Sequence, residues 1–145
     1  YEYQAWLFDY WVEELGEEEA ERSSARPGTS QHQLGTTIDF GSITDAFADT
    51  EAGRWLAENA WRYGFSLSYP DGYEELTGYK YESWHFRYIG RAAAEMERIY
   101  FGGIQQQMLE FWDEERANLA DAWTGGNAPA SEAAVGASKQ GVGER

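Results

Sequence analysis

The chain of 145 residues sets 26 Asp and Glu against 11 Lys and Arg, a formal net charge of −15. That balance excludes a nucleic-acid binder, which needs clustered basic residues for phosphate. The absence of Cys excludes disulfides, thiolate metal sites and a Cys nucleophile. The length suits one domain that buries roughly two-thirds of its unfolded surface. No apolar run approaches the roughly 20 residues of a membrane span, and the N-terminus lacks the basic-then-apolar layout of a signal peptide.

In chain order, Tyr3, Leu7, Tyr10, Trp11 and Leu15 recur at steps of three and four. They predict one apolar face of a helix that ends near Gly16. Glu17 to Thr29 reads as an acidic, solvated loop, the usual behaviour of a charge block. Thr36 to Phe40 is a short β-branched and aromatic run. A second helix is predicted from about Thr50 to Tyr63, with Trp55, Leu56, Ala60 and Tyr63 facing the core and Gly64 as its stop. Phe65 to Tyr69 and Trp84 to Ile89 read as two further strands, with a turn at Pro70-Asp-Gly between them.

From Arg91 to about Leu119 the spacing is helical again, interrupted at Gly102-Gly103. Its second part, with Met108, Leu109, Phe111 and Trp112, is predicted to pack against the domain. All seven Trp, ten Tyr and seven Phe precede Thr124. Residues 124–145 hold only Ala and Val as apolar residues and are expected to be a disordered tail. The expected fold is α+β: a small antiparallel sheet of short strands flanked by helices within residues 1–123.

The two histidines fall in two chemically loaded segments. In Ser30-Gln-His32-Gln-Leu-Gly35-Thr-Thr-Ile-Asp39 a loop histidine precedes an aspartate seven positions on. In Tyr81-Glu82-Ser-Trp84-His85-Phe a carboxylate and the second histidine stand at the mouth of the last strand. Two imidazoles and one carboxylate suit zinc, and three protein ligands leave a fourth position for water. The other carboxylate is then free to act as base. Glu82 and His85 are three apart, which on a continuous strand places them on opposite faces. Glu82 is therefore expected in the turn before the strand, where both side chains converge and Glu82 serves as proton acceptor and donor.

Ser-x-His-x-x-Gly-x-x-x-Asp followed by Glu-x-Trp-His resembles the zinc D-alanyl-D-alanine carboxypeptidase family of the VanY type, which also includes L,D-carboxypeptidases of the peptidoglycan stem peptide. The stretch Gly64-Phe-Ser-Leu-Ser-Tyr-Pro-Asp-Gly and the run from Leu76 to Gly90 carry the same likeness. The resemblance covers Tyr1 to about Gly90. It implies one zinc site, with His32, Asp39 and His85 as ligands and Glu82 as catalytic base. It also implies substrate contacts from Ser30, from Gln4 on the first helix, and from the aromatic residues Tyr69 and Trp84.

In that family a Tyr-Arg-Ser segment stands just before the residues seen here as Tyr1-Glu-Tyr-Gln4, and its arginine binds substrate and stabilises the oxyanion. The sequence is thus expected to be one part of a longer protein, or a fragment that holds zinc and works poorly. The implied activity is hydrolysis of the terminal D-Ala peptide bond of a peptidoglycan stem peptide, in the cell envelope. L,D-carboxypeptidase activity on tetrapeptide stems shares the same motifs. A zinc-bearing module that binds the cell wall without catalysis is the competing reading, and the presence of Glu82 counts against it.

Overall fold

The structure is a computed structural model that describes residues 1–126. The chain divides into two compact units, Tyr1–Glu110 and Phe111–Arg145. The first unit contains every strand and all the helices but the latter part of the last one.

Helix α1, Glu2–Leu15, ends at Gly16 as its periodicity predicts. Its expected core face is not the buried one. Tyr3, Tyr10 and Leu15 are exposed, and Phe8 is the side chain that is buried. The guanidinium of Arg26 covers the Phe8 ring at 5.2 Å from its centroid.

The acidic run is not a loop but a second helix, α2, Glu17–Ser23. Ala20 is fully buried, which gives the short helix an anchor, and Glu17, Glu18 and Glu19 stand at its positive end. Arg26 pairs with Glu17 at 2.9 Å and with Glu21, and Lys80 pairs with Glu19. Repulsion among the glutamates is thereby offset by cations beyond the helix end, of which Lys80 is too distant along the chain for local charge counting to find.

A 3₁₀ turn at Gln31–Leu34 leads through Gly35, in the left-handed region at φ +69°, into strand β1, Thr37–Asp39. A second 3₁₀ turn, Asp45–Asp49, precedes helix α3, Glu51–Asn59. Thr50 caps α3 by accepting from the Gly53 amide at 2.9 Å. A third 3₁₀ turn, Ala60–Tyr63, completes the second predicted helix and stops at Gly64, φ +89°. Only glycine fits there, since a Cβ would lie 2.8 Å from the Tyr88 ring and 2.9 Å from the Arg91 amide. Of the four predicted core residues Ala60 is buried and Leu56 half-buried. Trp55 and Tyr63 are exposed and lean on each other, their rings 5.8 Å apart.

Strand β2, Phe65–Leu67, precedes the short helix α4, Glu74–Thr77, which the sequence does not announce, and then strand β3, His85–Tyr88. β3 is the centre of a three-stranded sheet of order β1-β3-β2, antiparallel on both sides. Asp39 pairs with His85 and Ile38 with Phe86 in the register. Alternation then sends His85 and Asp39 to one face and Phe86 to the other. On that second face Phe86 meets Phe40 at 5.7 Å, and Phe40 meets Phe65 at 5.9 Å, both edge to face.

Helix α5, Arg91–Tyr100, and helix α6, Gln105–Gly126, are separated at the predicted glycine pair. Met108 and Gln105, on the first turn of α6, are among the most buried side chains. α6 extends past Trp123, so Thr124 to Gly126 are helical rather than part of a tail. The rest of the expected tail, 127–145, lies outside the described residues. Among the described residues no helix is long and apolar enough to cross a membrane.

Candidate metal centre

The site is assembled by three short elements, each with a sequence reason to be where it is. The 3₁₀ turn presents His32, and Gly35 accepts the sharp change of direction that feeds β1 and its last residue, Asp39. β3 starts at His85, the residue paired with Asp39, so the register alone brings these two together. Glu82 lies in the turn before β3, where the His85 amide donates to the Glu82 carbonyl at 3.2 Å. The expectation that Glu82 precedes the strand is met, and its side chain reaches the same point as His85.

His32 Nε2 lies 3.4 Å from Asp39 Oδ2, and His85 Nδ1 lies 3.3 Å from Asp39 Oδ1. Glu82 Oε2 is 3.2 Å from the same Nδ1. The two imidazoles stand edge to face at 4.9 Å. One ligand atom from each of His32, Asp39 and His85 falls within 4.8 Å of the others. Two imidazole nitrogens and one carboxylate oxygen facing a common point fit zinc, whose open sites take three such protein ligands.

Charge and burial are graded across the site. The His85 side chain is 7% exposed and that of Glu82 17%, while His32 at 43% faces the opening. Burial alone lowers the pKa of His85, but the Asp39 and Glu82 carboxylates outweigh it and hold the imidazole above its ordinary value. Tyr69 is buried beside this group, its ring 4.8 Å from His85 and 4.6 Å from Tyr79. Burial first, then Tyr79 and the Glu82 carboxylate, push the Tyr69 phenol well above its ordinary pKa. Burial and Glu82 raise Tyr79 likewise. Both phenols therefore remain proton donors at neutral pH.

The ligand group lies in a cleft of about 320 Å³. Its walls include all eight residues singled out from the sequence: Gln4, Ser30, His32, Asp39, Tyr69, Glu82, Trp84 and His85. Gln4 is held in place by donating to Ser24 Oγ at 3.1 Å and to the Ala25 carbonyl at 2.6 Å. Ser30 immediately precedes the 3₁₀ turn of His32, and its carbonyl accepts from the Gln33 amide. Trp84 is half-buried, and its carbonyl accepts from the Phe40 amide at 3.0 Å.

Sequence reasoning missed several lining residues. Tyr3, Leu7 and Trp11 of α1 line the cleft instead of filling a core. Tyr79 does too, inside a quoted motif run but without a periodic signal. Ser23 lines the cleft with a buried hydroxyl that has no hydrogen-bond partner. Gln31, between Ser30 and His32, also faces it. Among the described residues lining the cleft there is no Lys or Arg.

A fold that brings an Asp and two His together at one end of the sheet, with a Glu one turn before the last strand, defines a site of the metal-holding class with a carboxylate beside it. Residues 1–91 match the family VanY, D-alanyl-D-alanine carboxypeptidase, and the chain belongs to that family. It is 44% identical over 86 residues to the D-alanyl-D-alanine carboxypeptidase of Enterococcus faecalis, a match covering 59% of this chain and 31% of that protein. The chain spans between 29% and 48% of the length of curated relatives it matches.

Among solved structures, it superposes on the LdcB LD-carboxypeptidase with a TM-score of 0.67 at 35% identity, over 75% of this chain and 53% of that one. It superposes on the vancomycin-resistance D,D-pentapeptidase VanY in complex with Zn(II) with a TM-score of 0.63 at 36% identity, covering 74% and 65% of the two chains.

Proposed function

We propose that the chain forms the greater part of the active site of a zinc-dependent carboxypeptidase that releases the terminal D-Ala of peptidoglycan stem peptides. The observation that carries this reading is the convergence of both histidines, Asp39 and Glu82 at one point of a single cleft. His32, Asp39 and His85 would hold the metal, which, when bound, supplies a Lewis acid for the scissile carbonyl.

The remaining work falls to the chain's own groups. Glu82, largely buried beside His85, takes a proton from the attacking water at a carboxylate oxygen and returns it to the leaving amine. Ser30 and Gln4 offer polar contacts to the substrate backbone or its terminal carboxylate. Tyr69 and Trp84 wall the cleft and exclude water. Action on the cell wall puts the working location outside the cytoplasmic membrane.

The L,D-carboxypeptidase reading on tetrapeptide stems keeps a specific support in the likeness to LdcB. The two are separated by incubating the zinc-loaded chain, and a version extended at its N-terminus, with a pentapeptide ending in D-Ala-D-Ala and with the tetrapeptide. D-Ala release from the pentapeptide is the expected result. Release from the tetrapeptide alone assigns L,D-specificity, and release from neither by the extended protein overturns the enzyme reading.

A further inference from the structure

Gln31 is the neighbour of His32 in the same 3₁₀ turn, yet its side chain is bound to the other histidine. Its Oε1 accepts from Ser68 Oγ at 2.7 Å and stands 3.3 Å from His85 Nε2. The opposite ring nitrogen, Nδ1, faces Asp39 and Glu82 at 3.3 and 3.2 Å. The Ser68 hydroxyl occupies one lone pair of the amide oxygen. The second is directed at Nε2, where only an N–H makes a favourable contact.

Ser68 is itself fixed to His85, because its amide donates to the His85 carbonyl at 3.1 Å. Ser68 is 4% exposed and His85 5%, so this small chain is screened from water. A neutral histidine has one donor nitrogen and one acceptor nitrogen. An amide oxygen at Nε2 therefore favours an N–H there, the protonation pattern that leaves Nδ1 to exchange its own proton, held between the carboxylates, for a metal.

We propose that Gln31 is a positioning residue that fixes the tautomer and ring angle of His85 and joins the two histidine-bearing segments into one preformed metal site. It does so from within the turn that carries His32, so one side chain constrains both imidazoles. Ser68 is its support from the strand side. This inference rests on the metal-centre reading above and concerns a residue outside the ligand set. Metal-bound histidines usually donate their second N–H to an oxygen acceptor, and losing that acceptor typically weakens metal binding by roughly 10- to 100-fold.

The test measures zinc affinity by chelator competition, together with the visible absorption of the cobalt-substituted protein, in the parent chain, Gln31→Leu, Gln31→Glu and Ser68→Ala. Gln31→Leu keeps a branched side chain of comparable volume, one atom shorter, and removes the acceptor. It is expected to bind zinc roughly 10- to 100-fold more weakly, with a shifted cobalt spectrum. Gln31→Glu restores an acceptor oxygen and is expected to recover affinity to within a few-fold of the parent. Ser68→Ala frees the amide oxygen from its support and is expected to cost roughly fivefold.

Parental affinity and spectrum in Gln31→Leu overturn the proposal. So does a loss in Gln31→Glu as large as in Gln31→Leu, which marks a packing role. If Gln31→Leu does not fold, Ser68→Ala decides, and parental zinc affinity in it overturns the proposal. A parent chain that binds no zinc overturns this inference and the metal-centre reading together, whereas a zinc-binding parent with unaltered variants overturns this inference alone.

Discussion

Two glutamates, Glu82 and Glu97, occupy opposite situations in the same unit. Glu82 stands at the cleft with an imidazole at 3.2 Å and Asp39 across the same ring. Glu97, on α5, is 4% exposed and has a hydroxyl for a partner, Ser66 Oγ donating to its Oε1 at 2.7 Å. Around it lie Leu56, Ala60, Phe65 and Phe86. Burial raises the pKa of Glu97, and the Ser66 hydrogen bond only partly reverses this. A carboxylate that has a cationic partner can take part in proton transfer, whereas one buried among apolar groups is driven toward its neutral form. Burial alone therefore does not mark a catalytic acid or base, and the company of other titratable groups does.

The comparison can be broken most forcefully at Glu82. Glu82→Gln keeps size and removes the base, so D-Ala release is expected to fall by roughly 10²- to 10⁴-fold while zinc content and thermal midpoint stay close to the parent. Wild-type turnover in that variant would make Glu82 an ordinary acidic neighbour. On the other face of the sheet, Phe86→Ala removes a ring that is 2% exposed and is expected to destabilise the fold by about 3–5 kcal/mol, read by urea unfolding. Ser66→Ala deprives Glu97 of its donor and is expected to cost about 1–3 kcal/mol with turnover unaffected.

The smallest effect sharpens the contrast most. Because the folded pKa of Glu97 lies above its unfolded value, its contribution is fully present below the unfolded pKa and is lost as pH rises through the folded one. Glu97→Gln, which keeps an acceptor for Ser66, is expected to flatten that decline and raise the thermal midpoint modestly at neutral pH. An unchanged pH profile would show that Glu97 titrates normally. His85 supplies a second pH signature, since zinc must displace its Nδ1 proton. Zinc affinity is expected to fall as pH drops through a value above the ordinary histidine pKa, measured by chelator competition across pH.

Much of the site was legible because its chemistry is written locally. His32 and Asp39 share one motif, Glu82 and His85 another, and strand pairing of Asp39 with His85 brings the two motifs together. Element ends marked by Gly16, Gly64 and the Gly102-Gly103 pair were legible for the same reason. What depends on distant partners was not. The apolar stripe of α1 gave the helix but not which side it buries, and Phe8 rather than Tyr3 or Tyr10 faces inward. The α2 helix forms because Ala20 is buried and Arg26 and Lys80 neutralise its glutamates, and both cations lie beyond the helix's last residue, Ser23. Ser66 and Glu97 are 31 residues apart, and Ser68 and Gln31 are 37 apart, so no periodicity links them.

The central claim is that His32, Asp39 and His85 hold one metal ion at the mouth of β3. Titrating the parent chain and His32→Ala, Asp39→Ala and His85→Ala with zinc tests it most directly. The account predicts one tightly bound zinc per parent chain, lost or greatly weakened in each variant. A parent that takes up no stoichiometric zinc, or a His32→Ala chain that binds it as the parent does, would contradict it.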